Sequence, residues 1–121
     1  MKTIFVVDDT DTNLVMAREA LGNDFRVLTM PSAAKMFNLL NKIMPDLILL
    51  DIEMPEMDGF TALEKLKQNE QTAKIPVVFL TAHAEAHGTQ LSADDFITKP
   101  FSVPALQNRV AELIKQSHPE G

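Results

Sequence analysis

The sequence predicts an α/β domain in which a parallel β-sheet carries helices on both faces. Three observations predict it. Short apolar runs alternate with amphipathic stretches from one end of the chain to the other, and the strongest runs stop abruptly at a polar residue. Those runs are apolar at consecutive positions, which suits strands covered on both faces, and strand–helix alternation implies parallel pairing through right-handed crossovers. The length of 121 residues allows one such domain, large enough to bury roughly two-thirds of its unfolded surface.

The elements follow in order. Ile4–Val7 is the first strand candidate, and a helix capped by Thr12 or Asn13 runs through Leu21 to Gly22. Phe25–Leu28 is a weaker, more polar strand, expected nearer a sheet edge. Ser32 caps a second helix with Met36, Leu39, Leu40 and Ile43 on one face and Pro45 just beyond it. Leu47–Leu50 is a strong strand, and Asp58-Gly59 opens a helix carrying Phe60, Leu63 and Leu66 at helical spacing. Val77–Leu80 is the next strong strand and Asp95–Thr98 a weaker one. Ser102 opens the last helix, with Val103, Leu106, Val110, Leu113 and Ile114 facing inward and Pro104 tolerated in the first turn. Between Leu80 and Asp94 the chain has Gly88 and few apolar anchors, so at most a short, weakly amphipathic helix fits there. No internal repeat or linker interrupts the pattern. Residues 116–121 read as a frayed tail, so the chain reads as one domain over 1–121.

Composition narrows the function classes. The formal net charge of −6 argues against direct nucleic-acid binding and against anionic lipid, since both require cations at the contact. No apolar run approaches the roughly 18 residues that cross a bilayer. Met1-Lys2-Thr3 passes straight into the first apolar run without a small-residue cleavage site, which reads as a core strand and not a signal peptide. The chain has no cysteine, hence no disulfide framework, and a cytoplasmic location is the default expectation.

Polar residues fall at the carboxyl ends of the strand candidates, the edge where open α/β sheets bind ligands. The first strand ends in Asp8-Asp9, the third in Asp51, the fourth in Thr81 and the fifth in Lys99-Pro100. Crowded carboxylates repel one another and are hard to keep ionised without a cation. An all-oxygen site with room for water suits Mg²⁺ or Mn²⁺. With a metal in place an aspartate can attack phosphorus, while Lys99 and the Thr81 hydroxyl hold phosphoryl oxygens. His83 and His87 are spaced i, i+4, but no third ligand or zincin-type glutamate accompanies them, and His118 lies in the tail.

At this point the residues resemble the receiver domains of two-component response regulators, over nearly the whole chain. The matching stretches are Val-Val-Asp8-Asp9, Leu-Leu-Asp51-Ile-Glu-Met-Pro55-Glu-Met-Asp58-Gly59, Leu-Thr81-Ala82 and Asp-Asp-Phe96-Ile-Thr-Lys99-Pro100-Phe101. The resemblance implies a flavodoxin-like (βα)5 fold of five parallel strands in the order 2-1-3-4-5. It implies that Asp51 accepts a phosphoryl group from a sensor histidine kinase or a histidine phosphotransfer protein. Asp9 would hold Mg²⁺ directly, Asp8 directly or through water, and the Glu53 backbone carbonyl would complete the protein's share of the shell. Thr81 and Lys99 would bind phosphoryl oxygens, and Ala82 is small enough to let the group sit. Phe96 matches the switch aromatic, and the Lys99-Pro100 bond is expected to be cis. The output would be a population shift sensed by a downstream protein or an output domain. Partner helices would meet the first helix at Asp11, Asn13, Met16 and Ala20.

The sequence departs from the family between Thr81 and Lys99, which are 18 positions apart, about one helical turn fewer than usual. Leu91-Ser92 replaces the usual alanine-glycine pair. A shortened or irregular fourth helix is therefore expected, with a remodelled face where most regulators dimerise. Glu53 and His83 stand two residues after Asp51 and Thr81, where similar domains tune phosphoryl lifetime. Three other readings compete. Asp9-Thr10-Asp11 is similar to the nucleophile loop of haloacid-dehalogenase-type phosphatases, but Asn13 breaks that pattern and the later acidic pair is missing. A binding module that no longer takes phosphate would usually have lost one of the acidic residues or the lysine. A flavin-binding flavodoxin would need a Ser/Thr/Gly phosphate cradle in the first loop.

Overall fold

Successive residues of a strand point to opposite faces of the sheet, so a run that is apolar at every position must be covered twice. The computed structural model, which describes residues 1–82 and 95–117, has both covers. The order is β1 (Thr3–Val7), α1 (Asp11–Leu21), β2 (Arg26–Met30), α2 (Ala33–Leu40), β3 (Leu47–Asp51), α3 (Gly59–Gln68), β4 (Val77–Thr81), β5 (Asp95–Thr98) and α4 (Val103–Ser117). The strands form one sheet in the order β2-β1-β3-β4-β5 with every pairing parallel, the flavodoxin-like arrangement expected. Phe5, Val7, Ile48, Leu50, Val77 and Phe79 pack under α2 and α3. Ile4, Val6, Leu49, Val78, Leu80 and Ile97 pack under α1 and α4. Phe60 of α3 meets Phe79 edge to face, with ring centroids 5.3 Å apart.

Several boundaries differ from the sequence-based expectation. β2 lies at Arg26–Met30 because it pairs in full register with Thr3–Val7, while the Phe25 amide donates to the Leu21 carbonyl at 2.9 Å and so belongs to the turn leaving α1. α1 starts before Thr12 and Asn13, and its N-cap position is Thr10, whose side chain makes no capping bond. The reason lies in Asp8, whose carboxylate takes the Thr10 amide and the Asn13 side chain. α2 has the expected Ser32 cap but ends at Leu40, and Ile43 packs on the same core from just beyond it. Val103, expected to face inward, is exposed on the first turn of α4, and that helix continues through Ser117, so residues 116 and 117 belong to it. The fourth connection with its expected short helix, His83 and His87, and residues 118–121 with His118 lie outside the described residues. Among the described residues no helix is long and apolar enough to cross a membrane.

The loop from β3 to α3 is tightly folded against the strand it leaves. The Met54 and Gly59 amides both donate to the Ile52 carbonyl, at 3.1 and 2.9 Å. Glu56 sits at φ 69°, spanned by a 2.8 Å bond from the Met57 amide to the Pro55 carbonyl, a turn that L-residues seldom adopt. Asp58 caps α3 by accepting from the Thr61 amide at 2.8 Å. Gly59 lets this helix start against the end of β3, because a Cβ there would lie 2.7 Å from the Asp51 carbonyl oxygen and 2.8 Å from the Ile52 Cα. Both are backbone atoms and cannot swing aside. Gly59→Ala is therefore expected to destabilise the domain by about 1–3 kcal/mol, read as a lower urea midpoint at unchanged m-value.

Candidate functional site

Strand parity decides which rim residues meet. Asp8 continues the row of Ile4 and Val6, Asp51 continues Leu47 and Leu49, and Lys99 continues Ile97, all on the α1/α4 side of the sheet. The ladder bond from the Asp8 amide to the Met30 carbonyl, 3.1 Å, keeps Asp8 extended past β1, and the Lys99 amide donates to the Thr81 carbonyl at 2.7 Å. Both carboxylates are fully buried, and the Lys99 ammonium lies 2.9 Å from Asp8 Oδ2 and 2.9 Å from Asp51 Oδ1. Asp8 is satisfied at both oxygens: Oδ1 accepts from the Thr10 amide at 2.9 Å, and Oδ2 also accepts from Asn13 Nδ2 at 3.2 Å. Asp51 is not. Its Oδ1 accepts additionally from the Glu53 amide at 3.2 Å, whereas Oδ2 is buried with no hydrogen-bond partner among the described residues. Asp9 is exposed, and one carboxylate oxygen each from Asp8, Asp9 and Asp51 lie within 4.8 Å of one another.

Thr81 has the opposite parity and a different partner. Its buried hydroxyl donates to the exposed Glu53 carboxylate, with Oε2 at 3.1 Å and Oε1 at 3.3 Å. Phe96 on β5 pairs in register with Phe79 and is 39% exposed. The Lys99–Pro100 bond is cis. Five of the rim residues expected from the sequence (Asp8, Asp9, Asp51, Glu53 and Lys99) thus gather at the ends of β1, β3 and β5, and Thr81 joins them through Glu53. His83 lies outside the described residues.

Residues 4–111 match the family model for the response regulator receiver domain. The chain belongs to that family. A probable cyclic di-GMP phosphodiesterase of Vibrio cholerae is 38% identical over 112 residues, which are 89% of this chain and 25% of that protein. This receiver domain spans about a quarter to about half the length of the first curated relatives it matches. The receiver domain of a signal transduction histidine kinase from Syntrophus aciditrophicus superposes with a TM-score of 0.86 at 29% identity, covering 96% of this chain and 92% of that one. The receiver domain of the sensor histidine kinase PA1611 from Pseudomonas aeruginosa, with a magnesium ion coordinated in its active site cleft, shares the fold at a TM-score of 0.84 and 24% identity, covering 93% and 97% of the two chains.

Three contacts of the receiver site were not legible in the sequence, although Glu53 itself was expected there as a tuning residue. Asn13 and the Thr10 amide hold Asp8, and the Glu53 side chain holds Thr81. The Asn13 contact is discoverable only through the helical turn that brings position 13 back over position 8. On α1, Ala20 is buried and Met16 half-buried against the core, so neither offers the open docking surface expected of it. Val15, passed over in the sequence, is 51% exposed instead.

Burial pushes the Asp51 carboxyl up from 3.8 to about 7, with the Asp8 charge and the Asp9 carboxyl adding to the rise and Lys99 opposing it. Burial pulls the Lys99 ammonium down, but its hydrogen bonds and charge contacts to Asp8 and Asp51 outweigh that and hold its pKa above the ordinary value. A carboxyl raised in the folded state binds a proton that the unfolded chain has already lost, so the stability it contributes is present below the unfolded pKa and disappears as pH rises through the folded one. Without divalent cations, the receiver domain is expected to lose stability between pH 3.8 and about 7. Asp51→Asn removes that slope, which denaturant unfolding across the window in a chelating buffer would measure.

Proposed function

We propose that this receiver domain takes a phosphoryl group on Asp51 from a phosphohistidine of a sensor histidine kinase or histidine phosphotransfer protein. We read it as a single phosphoacceptor signalling domain over 1–121, cytoplasmic like its proposed donors. The observation that carries the reading is Asp51 Oδ2, a buried carboxylate oxygen without a hydrogen-bond partner among the described residues, beside one held by Lys99 and the Glu53 amide. A buried polar atom left unpaired is costly, and such atoms concentrate where a ligand or reaction supplies the partner.

The Asp8, Asp9 and Asp51 carboxylates, with one oxygen of each within 4.8 Å of the others, fit a hard divalent cation bound through oxygen. Asp9, Asp51 and the Glu53 backbone carbonyl would hold Mg²⁺, or Mn²⁺ in its place, with Asp8 directly or through water. When bound, that ion would neutralise charge building on the phosphoryl oxygens. The presence of magnesium in the PA1611 receiver domain supports this assignment.

The chain's own residues account for the rest. Asp51 Oδ2 forms the new bond to phosphorus as the phosphorus–nitrogen bond of the donor breaks; the imidazole leaves with that electron pair and takes up a proton. Lys99, already on Asp51 Oδ1, stays within reach of a phosphoryl oxygen, and the Thr81 hydroxyl donates to another. Positioning and charge account for most of the catalysis such a transfer needs. Moving Thr81 toward the phosphoryl group opens space toward which the half-exposed Phe96 can turn, giving two arrangements whose populations the phosphoryl group shifts. Exposed Val15 and Asp11 on α1 form the face on which the donor docks. The readout is a downstream protein or an attached output domain.

Incubation with acetyl phosphate and Mg²⁺, followed by intact-mass analysis, is expected to add one phosphoryl group to the wild type and none to Asp51→Asn. Uptake that persists in Asp51→Asn would defeat the assignment. Lys99→Ala is expected to slow uptake by about 10²-fold or more, the cost of deleting one preorganised charge-stabilising donor. Val15→Lys is expected to slow transfer from a phosphohistidine donor more than uptake from acetyl phosphate, as timed mass spectra with both donors would reveal.

A further inference from the structure

We propose that the Glu53 side chain is a positioning residue for the transfer: it holds the Thr81 hydroxyl in the resting domain, and that contact must break before Thr81 can take a phosphoryl oxygen. The inference rests on the reading of Asp51 as acceptor and adds a step to it.

The argument is one of hydrogen counting. A threonine hydroxyl has a single proton to donate. In the resting domain that proton faces the Glu53 carboxylate, 3.1 Å from Oε2 and 3.3 Å from Oε1. A phosphoryl oxygen and Glu53 both require the same donor, so the two contacts exclude each other. Thr81 is fully buried and Glu53 exposed, so the glutamate is the partner that water can reach.

Glu53 is also tied to the acceptor. Its amide donates to Asp51 Oδ1 at 3.2 Å while its side chain reaches across to β4. One residue therefore bridges the nucleophile and the hydroxyl through its backbone and its side chain. Anything that rearranges the Asp51 carboxylate acts on the backbone of the residue that holds Thr81. A carboxylate there also places negative charge where phosphoryl oxygens arrive, so hydrogen bonding and charge repulsion must be separated by experiment.

Three variants separate them, assayed by acetyl phosphate uptake at saturating Mg²⁺ with intact-mass readout. Glu53→Ala releases the hydroxyl, and uptake is expected to rise about three- to tenfold, the range set by the net worth of one ordinary hydrogen bond to a solvent-exposed partner. Glu53→Gln keeps an acceptor oxygen and loses the charge, so its uptake should stay between wild type and Glu53→Ala. Equal rates for the two variants would mean that charge alone acts and would overturn the proposal. In a Thr81→Ala background, Glu53→Ala should have no further effect, because the side chain acts through the hydroxyl. An undiminished effect there would also overturn it. An NMR comparison provides a readout that needs no phosphorylation: the Thr81 methyl and amide resonances should shift in Glu53→Ala and stay near their wild-type positions in Glu53→Gln. Wild-type uptake with no change in Glu53→Ala would sink this inference alone. Failure of the wild type to take up phosphate on Asp51 would sink the acceptor reading and this step with it.

Discussion

One ammonium group serves two buried carboxylates, and the rest of the site is arranged around that shortage of positive charge. Lys99 approaches Asp8 and Asp51 equally, at 2.9 Å each. Burying a carboxylate is expensive unless a cation and hydrogen bonds replace its water. Asp8 receives that replacement in full from Lys99, Asn13 and the Thr10 amide, whereas Asp51 receives it at one oxygen only. The imbalance raises the Asp51 carboxyl and leaves a buried oxygen that a cation or an electrophilic phosphorus can use. Parallel topology makes such crowding possible, because every strand of the sheet delivers its last residue to the same rim. Lys99 at the end of β5 must reach past β4 to Asp51 at the end of β3, about two strand spacings or roughly 10 Å. A long, flexible side chain suits that reach, and a rigid ring does not.

The β3–α3 loop connects the charge problem to the conformational one. Its amides fold back onto the Ile52 carbonyl, Glu56 takes a positive φ, and Gly59 lets α3 lie against the carbonyl of the acceptor itself. Glu53 lies inside this clamp, with its amide on Asp51 and its carboxylate on Thr81. Backbone strain of this kind persists only where the surroundings over-determine it. Here those surroundings are two hydrogen bonds to one carbonyl and the Asp58 cap of α3. The acceptor and the hydroxyl on the neighbouring strand are thereby joined through Glu53 as well as through the β3–β4 ladder.

Alternating apolar runs, Gly59 after Asp58, Ser32 before a helical stripe and a polar residue after each strong run were legible because each is a local consequence of backbone geometry or solvation. These features sufficed for the class of fold, for the caps of α2 and α3, and for the list of rim residues, since the carboxyl edge of a parallel sheet is set by chain direction. Boundaries that depend on pairing were less legible. β2 is placed by its register with β1, not by its own polarity, and α1 begins where Asp8 draws in the Thr10 amide.

By itself the sequence determined the kind of site: three carboxylates, a hydroxyl and an ammonium at strand ends, in an order that resembles one family. Only the tertiary structure decided how they divide. Strand parity places Asp8, Asp51 and Lys99 on the α1/α4 side and turns Thr81 away from them, toward Glu53. Residue type states which bonds a side chain can make. Which bonds it does make depends on neighbours tens of positions away in sequence, brought within hydrogen-bond range by the sheet.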